Sequence, residues 1–281
     1  MIKNKKIGFI GAGNMGEAIT GALVKAQIEP SQIYLSDVSN ERLKLIQEKY
    51  KVNIMNDNSK LFDECQIVIL AVKPQIMDEV LGKIIENENY KILERKIVIS
   101  IAAGITIEKI ENFLFKSLTE KDIKNLPIVR VMPNTPALVQ CGMSGLSFNK
   151  NVVEEDAKIA RSIFQSMGQV LEFPEKSLDA VTAISGSGPA YVFYFIEAMI
   201  EAAKNLGFSK KEAEILTIET FNGSIKLLKQ MNDSPEELRR KVTSPGGTTE
   251  AAIKVMEKES LKDIINSGIK AAENRAKELR N

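Results

Sequence analysis

Two glycine-rich segments of the sequence combine residue types and spacings that suit anion binding. The first, IGFIGAGNMGEAI, places Gly11, Gly13 and Gly16 in the spacing G-x-G-x-x-G, after a short apolar run and at the start of a helical pattern. There Gly11 permits a tight turn, Gly13 lets a pyrophosphate approach the backbone, and Gly16 lets the helix pack closely on the strand. A tight turn without a ligand is the alternative, which the βαβ context disfavours. We therefore predict a dinucleotide on the loop of Gly11, Ala12, Gly13, Asn14, Met15 and Gly16.

The second segment, VTSPGGTTEAA, interrupts a region of helical patterns between Val242 and Ala252. A glycine-rich loop that leads into a helix presents several backbone N–H groups to an anion, and a helix from about Thr249 to Lys258 would follow it. The same residues also suit a plain break between helices, with Ser244 or Thr248 capping the second helix. Residue chemistry alone leaves these two interpretations open.

Histidine is absent from the 281 residues, which removes the commonest general base, the Ser-His-Asp triad and most zinc sites. Catalysis must therefore use carboxylates, hydroxyls, lysines, backbone groups or a cofactor, and we expect no metal site. The two cysteines, Cys65 and Cys141, are far apart and form neither a disulfide framework nor a metal motif. This cysteine usage fits a reducing compartment, so we expect a cytoplasmic protein.

An acidic residue, Asp37, ends the second predicted strand, IYLSD. In that position a carboxylate accepts hydrogen bonds from the adenosine ribose, which favours NAD. The neighbouring Ser36, Ser39, Asn40 and Arg42 could instead contact a 2′-phosphate, and Asp37 could simply cap the helix that begins near Asn40. The cofactor is therefore predicted as NADH or NADPH.

Three further segments, AVKPQ, SIAAG and MPNTPA, follow the other predicted strands. Ligands of doubly wound sheets bind outside the carboxyl ends of the strands, so these segments are expected to line the cofactor crevice. Lys73 is a candidate proton donor, although a solvated lysine after a buried strand is the more common case. The candidate cofactor-binding residues in these segments are Ala71, Val72, Lys73, Pro74, Ala102, Ala103, Gly104 and Asn134.

The order of these patterns predicts an α/β fold with two domains. Short β-branched runs alternate with amphipathic segments from Lys6 to about Phe148, which indicates a Rossmann-type, mostly parallel sheet. From Glu154 onward long helical patterns dominate, and one short strand, VLEF, separates the first of these helices from the rest. We predict a dinucleotide-binding domain at 1–160 and an all-helical substrate and dimerisation domain at 161–281.

Composition excludes several classes of partner. The chain is 44% hydrophobic and 27% charged, with a net charge of +1, so it lacks the basic excess of a nucleic-acid binder. Its longest apolar run, Ile67 to Val72, is too short to cross a bilayer. We therefore expect neither nucleic acid nor a membrane as a partner.

Taken in order, the segments GFIGAGNMGEAI, AVKPQ, SIAAGI, VMPNTPA, DAVTAISGSGPAY and VTSPGGTT resemble the pyrroline-5-carboxylate reductase family over nearly the whole chain. The resemblance implies an N-terminal Rossmann domain and a helical C-terminal domain that interlocks with a second subunit, as a dimer or a multiple of dimers. It also implies NAD(P)H-dependent reduction of the cyclic imine 1-pyrroline-5-carboxylate to L-proline, the last step of proline biosynthesis.

The same resemblance implies roles for individual residues. The backbone amides of Gly246, Gly247 and Thr248, in the loop that begins at Ser244, would bind the substrate carboxylate, and the Thr249 hydroxyl would lie near the ring nitrogen as the catalytic group. Asn58 would lie beside the adenosine ribose. The segment from Ala71 to Pro74 and Asn134 would lie near the nicotinamide.

Two other functions are compatible with a Rossmann domain followed by helices. A β-hydroxyacid dehydrogenase would need its catalytic lysine where Val192 stands, if SGSGPAY were its motif. A non-catalytic dinucleotide-sensing protein would have no need of the intact SPGGTT loop. Both are therefore weaker interpretations than the reductase.

Overall fold

The computed structural model describes residue 2, residues 4–87 and residues 90–280. The chain forms two compact units: Met1–Ser187 with Ala272–Asn281, and Gly188–Ala271. The predicted boundary at residue 160 falls within the first unit, because the strand after it pairs with the sheet. No helix in the described part of the chain is long and apolar enough to cross a membrane.

The first unit is built on a sheet of short strands. Within the described residues the strand order is β3-β2-β1-β4-β5-β6-β7-β8, and neighbours run parallel except β6 and β7. The strands are β1 Ile7–Ile10, β2 Ile33–Ser36, β3 Asn53–Ile54, β4 Ile67–Leu70, β5 Ile97–Ser100, β6 Ile128–Met132, β7 Gly142–Phe148 and β8 Gly168–Glu172. This arrangement confirms the predicted mostly parallel α/β sheet.

Helices cover both faces of this sheet. In the first unit they are α1 Asn14–Lys25, α2 Asn40–Tyr50, α3 Asn58–Glu64, α4 Met77–Ile85, α5 Ile107–Leu114, α6 Glu120–Lys124, α7 Glu154–Gln165 and α8 Leu178–Val181. Alternate strand residues point to opposite faces, so Phe9 belongs to the core cluster that includes α1, α2 and α7, and Ile10 belongs to the cluster that includes α3, α4 and α5. The central strands are predominantly apolar because both faces are buried.

The second unit is helical, as predicted. Its helices are α9 Gly188–Asn205, α10 Lys210–Gln230, α11 Pro235–Lys241 and α12 Thr248–Lys258, with most of α13, Leu261–Glu278. Ser209 begins α10 through a capping box with Glu212, and Ser234 begins α11 in the same way with Glu237. These short cap motifs fix where the helices start.

Candidate functional site

The first glycine segment forms a tight turn between β1 and α1. Gly11 has a φ of +108°, and a Cβ there would lie 2.6 Å from the carbonyl group of Ala71, so a side chain does not fit. A Cβ on Gly16 would lie 2.6 Å from the carbonyl oxygen of Gly11. A Cβ on Gly13 would meet no atom within 4 Å. Each glycine therefore has the property that its predicted role requires, and the open side of Gly13 leaves space for a pyrophosphate.

Helix α1 begins beside this open side. Gly13 is its N-cap residue and provides no side-chain cap, so backbone N–H groups of the first turn, from Asn14 and Met15 onward, are available to a ligand. The helix dipole adds positive potential at the same place. The loop can therefore hold the pyrophosphate of a dinucleotide.

Asp37 holds the glycine loop in place. Its Oδ2 accepts a hydrogen bond from the Ala12 N–H at 2.7 Å, and its Oδ1 accepts one from the Ser39 N–H at 2.9 Å. The N-cap of α2 is Ser39, whose hydroxyl accepts from the Arg42 N–H, so the capping role considered for Asp37 is wrong. Asp37 instead connects the end of β2 to the turn after β1, and its remaining lone pairs can accept from a ribose hydroxyl.

A cleft of about 710 Å³ lies at the carboxyl ends of β1 and β2. Its wall brings together five predicted cofactor residues, Gly11, Ser36, Asp37, Asn58 and Val72. A hydrogen bond of 2.7 Å from Ser36 Oγ to Asn58 Oδ1 fixes one side. The lining residues are Ile10, Gly11, Ser36, Asp37, Val38, Asn40, Asn56, Asp57, Asn58, Ser59, Val72, Ile76, Val80 and Lys83. Sequence reasoning missed Asn56, Asp57 and Lys83, although the polar run NDNS before α3 was a usable signal.

The segment after β4 lies directly against the glycine loop. The Ala71 N–H donates to the Ile10 carbonyl at 2.8 Å, and Val72 lines the cleft. Lys73 is exposed and precedes a 3₁₀ turn that begins at Pro74. The exposure of Lys73 agrees with the interpretation of a solvated lysine.

The segment after β5 is more enclosed than the sequence indicated. Ala102 is buried and Ala103 is partly buried. Gly104 has a φ of +78°, and a Cβ there would lie 2.7 Å from the carbonyl oxygen of Leu279. Gly104 thus allows the turn that follows α13, at Leu279, to pack closely on this loop.

Asn134 joins three segments at the end of β6. Its amide nitrogen lies 3.2 Å from both the carbonyl oxygen and the hydroxyl of Ser185, and its Oδ1 accepts from the Met143 N–H at 2.9 Å. Ser185 lies in a π-helical turn, Thr182–Gly186, between α8 and α9. Such turns are frequent at functional sites. Asn134 therefore holds the strand end in shape, and its contact with a nicotinamide stays a prediction.

A buried charge network supports the same strand end. Arg130 of β6 is 3% exposed; its guanidinium lies 3.0 Å from Glu175 Oε1 and 3.8 Å from Asp179 Oδ1. The Arg280 guanidinium lies 3.2 Å from Asp179 Oδ2, within ion-pair distance but outside hydrogen-bond geometry. Sequence reasoning missed this network, whose signal was the arginine inside the apolar run IVRVM.

The second glycine segment lies in the helical unit and leads into α12. Gly246 has a φ of +71°, the Gly247 N–H donates to the Ser244 carbonyl at 3.0 Å, and Gly247 is the N-cap of α12. Thr248 and Thr249 are the first two helical residues, and Thr249 is partly buried. The loop is therefore a helix entry with backbone donors in its first turn, as the sequence predicts.

Two of the N–H groups predicted for the substrate carboxylate are engaged within the chain, that of Gly247 by the Ser244 carbonyl and that of Gly246 by Glu250. The Gly246 N–H donates to Glu250 Oε2 at 2.8 Å, and the Lys254 ammonium lies 3.3 Å from Glu250 Oε1. The Gly246 N–H, with Lys254, holds the pKa of Glu250 below its ordinary value. A carboxylate thus occupies a donor that was predicted for the substrate, which shows that this amide binds an anion.

Comparison with known proteins relates this arrangement to one family. A family model for pyrroline-5-carboxylate reductase dimerisation matches residues 175–279, and one for coenzyme F420-dependent NADP oxidoreductases matches residues 6–104. Pyrroline-5-carboxylate reductase of Methanosarcina acetivorans is 40% identical over 279 residues, covering 99% of each chain. That of Corynebacterium melassecola is 38% identical over 276 residues, covering 97% of this chain and 98% of the relative. The chain belongs to the pyrroline-5-carboxylate reductase family.

Solved structures of pyrroline-5-carboxylate reductases share this fold over the whole chain. The protein from Coxiella burnetii gives a TM-score of 0.88 at 37% identity, and the Plasmodium falciparum protein, with NADP bound, gives 0.85 at 34%; each comparison covers 99% of both chains. Prephenate dehydrogenase from Aquifex aeolicus, at a TM-score of 0.53 and 16% identity, shares the fold alone. The predicted family and fold class are confirmed, and the β-hydroxyacid dehydrogenase interpretation is set aside.

Proposed function

We propose that this chain reduces the C=N bond of 1-pyrroline-5-carboxylate to give L-proline, with NADH or NADPH as reductant. The observation that carries the proposal is the pair of glycine-rich helix entries, Gly11–Gly16 and Ser244–Thr249, in a chain that matches pyrroline-5-carboxylate reductases over nearly all of its residues. The NADP-bound relative supports the cofactor class.

The residues of the first unit fit a nicotinamide dinucleotide. When bound, the reduced nicotinamide supplies the hydride. The N–H groups at Gly13 and the start of α1 would hold the pyrophosphate, and Asp37 and Asn58 would face the adenosine ribose. The strand ends at Ala71–Pro74, Ala102–Gly104 and Asn134 would border the nicotinamide.

The residues of the loop at α12 would hold the substrate. The N–H groups of Gly246, Gly247 and Thr248 would bind the carboxylate. As the substrate arrives, Glu250 would leave the Gly246 N–H and the Ser244 carbonyl would release the Gly247 N–H. The Thr249 hydroxyl would orient the ring nitrogen. A cyclic imine is basic and can enter as the iminium, so the nitrogen already carries the proton it keeps in proline. Positioning is then the protein's main task, which a chain without histidine can perform.

Self-association as a dimer or a multiple of dimers is part of the proposal. The match to the dimerisation model at residues 175–279 supports it. Exposed apolar side chains on α9 and α10 also support it, since such patches mark interaction surfaces. These are Val192, Phe193, Tyr194, Ile215, Leu216 and Ile218. A cytoplasmic location, which the cysteine usage favours, is proposed as well.

The test follows the absorbance of NADH or NADPH with 1-pyrroline-5-carboxylate and identifies proline as product. Turnover is expected, Thr249→Ala should lower kcat/KM by more than a few-fold, and Thr249→Ser should restore part of it. An unchanged kcat/KM in Thr249→Ala would refute the orienting role. Dinucleotide binding without turnover would favour the dinucleotide-sensing alternative.

A further inference from the structure

Two charged side chains hold the same residue of the glycine loop. Asp37 accepts from the Ala12 N–H at 2.7 Å, and Arg42 Nε donates to the Ala12 carbonyl at 2.8 Å. Arg42 is the third residue of α2, and the first, Asn40, lines the cofactor cleft. The Arg42 guanidinium and the Asp37 carboxylate, which would meet the adenosine ribose, therefore both contact the backbone of Ala12.

The charge of Arg42 is directed toward α1. Its Nη2 pairs with Oε2 of Glu17, whose side chain is 16% exposed. Glu17 Oε1 accepts from Lys49 Nζ at 2.8 Å and lies 3.4 Å from the Tyr50 hydroxyl. The hydrogen bond from Lys49, together with Arg42, holds the pKa of Glu17 below its ordinary value. Glu17 is thus an anion at neutral pH and a stable partner for the guanidinium.

The cleft wall itself is poor in free positive charge. Among the described lining residues the charged ones are Asp37, Asp57 and Lys83, and the Lys83 ammonium lies 2.6 Å from Glu79 Oε1. A ribose diol can donate hydrogen bonds to Asp37. A 2′-phosphate with a charge near −2 would instead lie beside that carboxylate without an arginine to compensate it.

We propose that Glu17 sets the dinucleotide preference: by holding Arg42 against α1, it withholds the guanidinium from a 2′-phosphate at the end of β2, so the chain prefers NADH to NADPH. This inference rests on the proposed dinucleotide-dependent function. Glu17 acts through Arg42 and is a positioning residue, whereas Asp37 faces the ribose.

The test measures Kd for NADH and for NADPH by titration calorimetry, because the chain has no tryptophan to report binding. The wild type should bind NADH more tightly. In Glu17→Gln the released guanidinium can pair with the phosphate, so the Kd ratio should shift toward NADPH by about tenfold, the effect of one charge-assisted contact. In Glu17→Gln with Arg42→Met the shift should disappear, since no guanidinium remains.

Two further variants separate this role from a structural one. Arg42→Met alone should leave the ratio of the two Kd values as in the wild type, because the Arg42 guanidinium is paired with Glu17 and does not bind the 2′-phosphate. Glu64→Gln, which releases Lys6 outside the cleft, is the matched control and should not reproduce the shift.

Several results would overturn the inference while leaving the proposed function intact. They are equal wild-type affinities, an unchanged ratio in Glu17→Gln, a parallel loss of both affinities, or a loss of NADPH affinity in Arg42→Met alone. Failure of both dinucleotides to bind any variant would instead remove the proposed function together with the inference.

Discussion

Arg130 lies in the middle of β6, four residues before Asn134, and its replacement by methionine measures what the buried charge network contributes. Asp179 is 2% exposed, so the substitution leaves a buried carboxylate with Arg280 as its cationic neighbour, at 3.2 Å. Glu175 also loses its partner at 3.0 Å. Breaking a buried ion pair from one side costs about 3–5 kcal/mol, which lowers Tm by roughly 10 °C in a protein of this size.

The assay is thermal unfolding followed by circular dichroism, with a surface arginine as control. Arg161 also pairs with two carboxylates, Glu154 and Glu172, whose side chains are largely exposed, so Arg161→Met should have a much smaller effect. Arg130→Met with Asp179→Leu should recover most of the loss, because apolar groups can replace a buried pair. Equal Tm losses in Arg130→Met and Arg161→Met, or a double variant no more stable than Arg130→Met, would show that the buried network does not stabilise the fold in this way.

Three further predictions concern the glycine loops and a buried lysine. Gly13→Ala should keep the wild-type Tm, because a Cβ meets no atom there, yet weaken dinucleotide binding about tenfold. Gly11→Ala should cost about 1–3 kcal/mol of stability, because its backbone conformation strains a side chain. Equal Tm losses in the two variants would contradict this. Glu250→Ala should lower KM for 1-pyrroline-5-carboxylate by freeing the Gly246 N–H, with Kd for NADH unchanged; a higher KM would contradict the competition. Burial lowers the pKa of Lys96 from 10.5 to about 8. Between pH 8 and 10.5 the unfolded chain therefore binds more protons than the folded chain, so the free energy of unfolding should rise with pH, by at most about 1.4 kcal/mol per pH unit. Denaturant titrations at several pH values should show this rise for the wild type relative to Lys96→Met. A difference between the two proteins that does not change with pH would exclude the pKa shift.

The parts of the fold that sequence predicted well are those where one local pattern decides the structure. The runs IGFI, IYLS, IVILAV, IVISIA and IVRVM contain β1, β2, β4, β5 and β6, because a strand buried on both faces is predominantly apolar. β7 escaped prediction since its sequence, GMSGLSF, has glycine and serine in place of β-branched residues. Its pairing with β6 and β8 is a tertiary effect that places this poor strand former in the sheet.

The candidate site divides in the same way. The glycine loops were predictable since steric needs at Gly11 and a helix entry at Gly247 are local. The long-range side-chain contacts were not predictable: Asn134 contacts Ser185, 51 positions away in the sequence, and Arg42 contacts Glu17, 25 positions away. No short sequence pattern encodes such pairs. For this reason residue chemistry left open whether Arg42 would bind the 2′-phosphate of NADPH.

An acidic side chain of the chain itself engages a backbone N–H beside each of the two predicted anion sites, and the difference between them bears on function. Asp37 is anchored by the N–H groups of Ala12 and Ser39, two residues that belong to different segments, so its carboxylate is part of the fold. Glu250 accepts from Gly246 four residues away on a partly exposed side chain, and one rotamer change suffices to release it. The permanent carboxylate of Asp37 suits the adenosine-ribose end of the first site, since it accepts hydrogen bonds from ribose hydroxyls and repels a 2′-phosphate. A removable one suits a site whose ligand is itself a carboxylate, because the arriving anion can take over the same N–H donor.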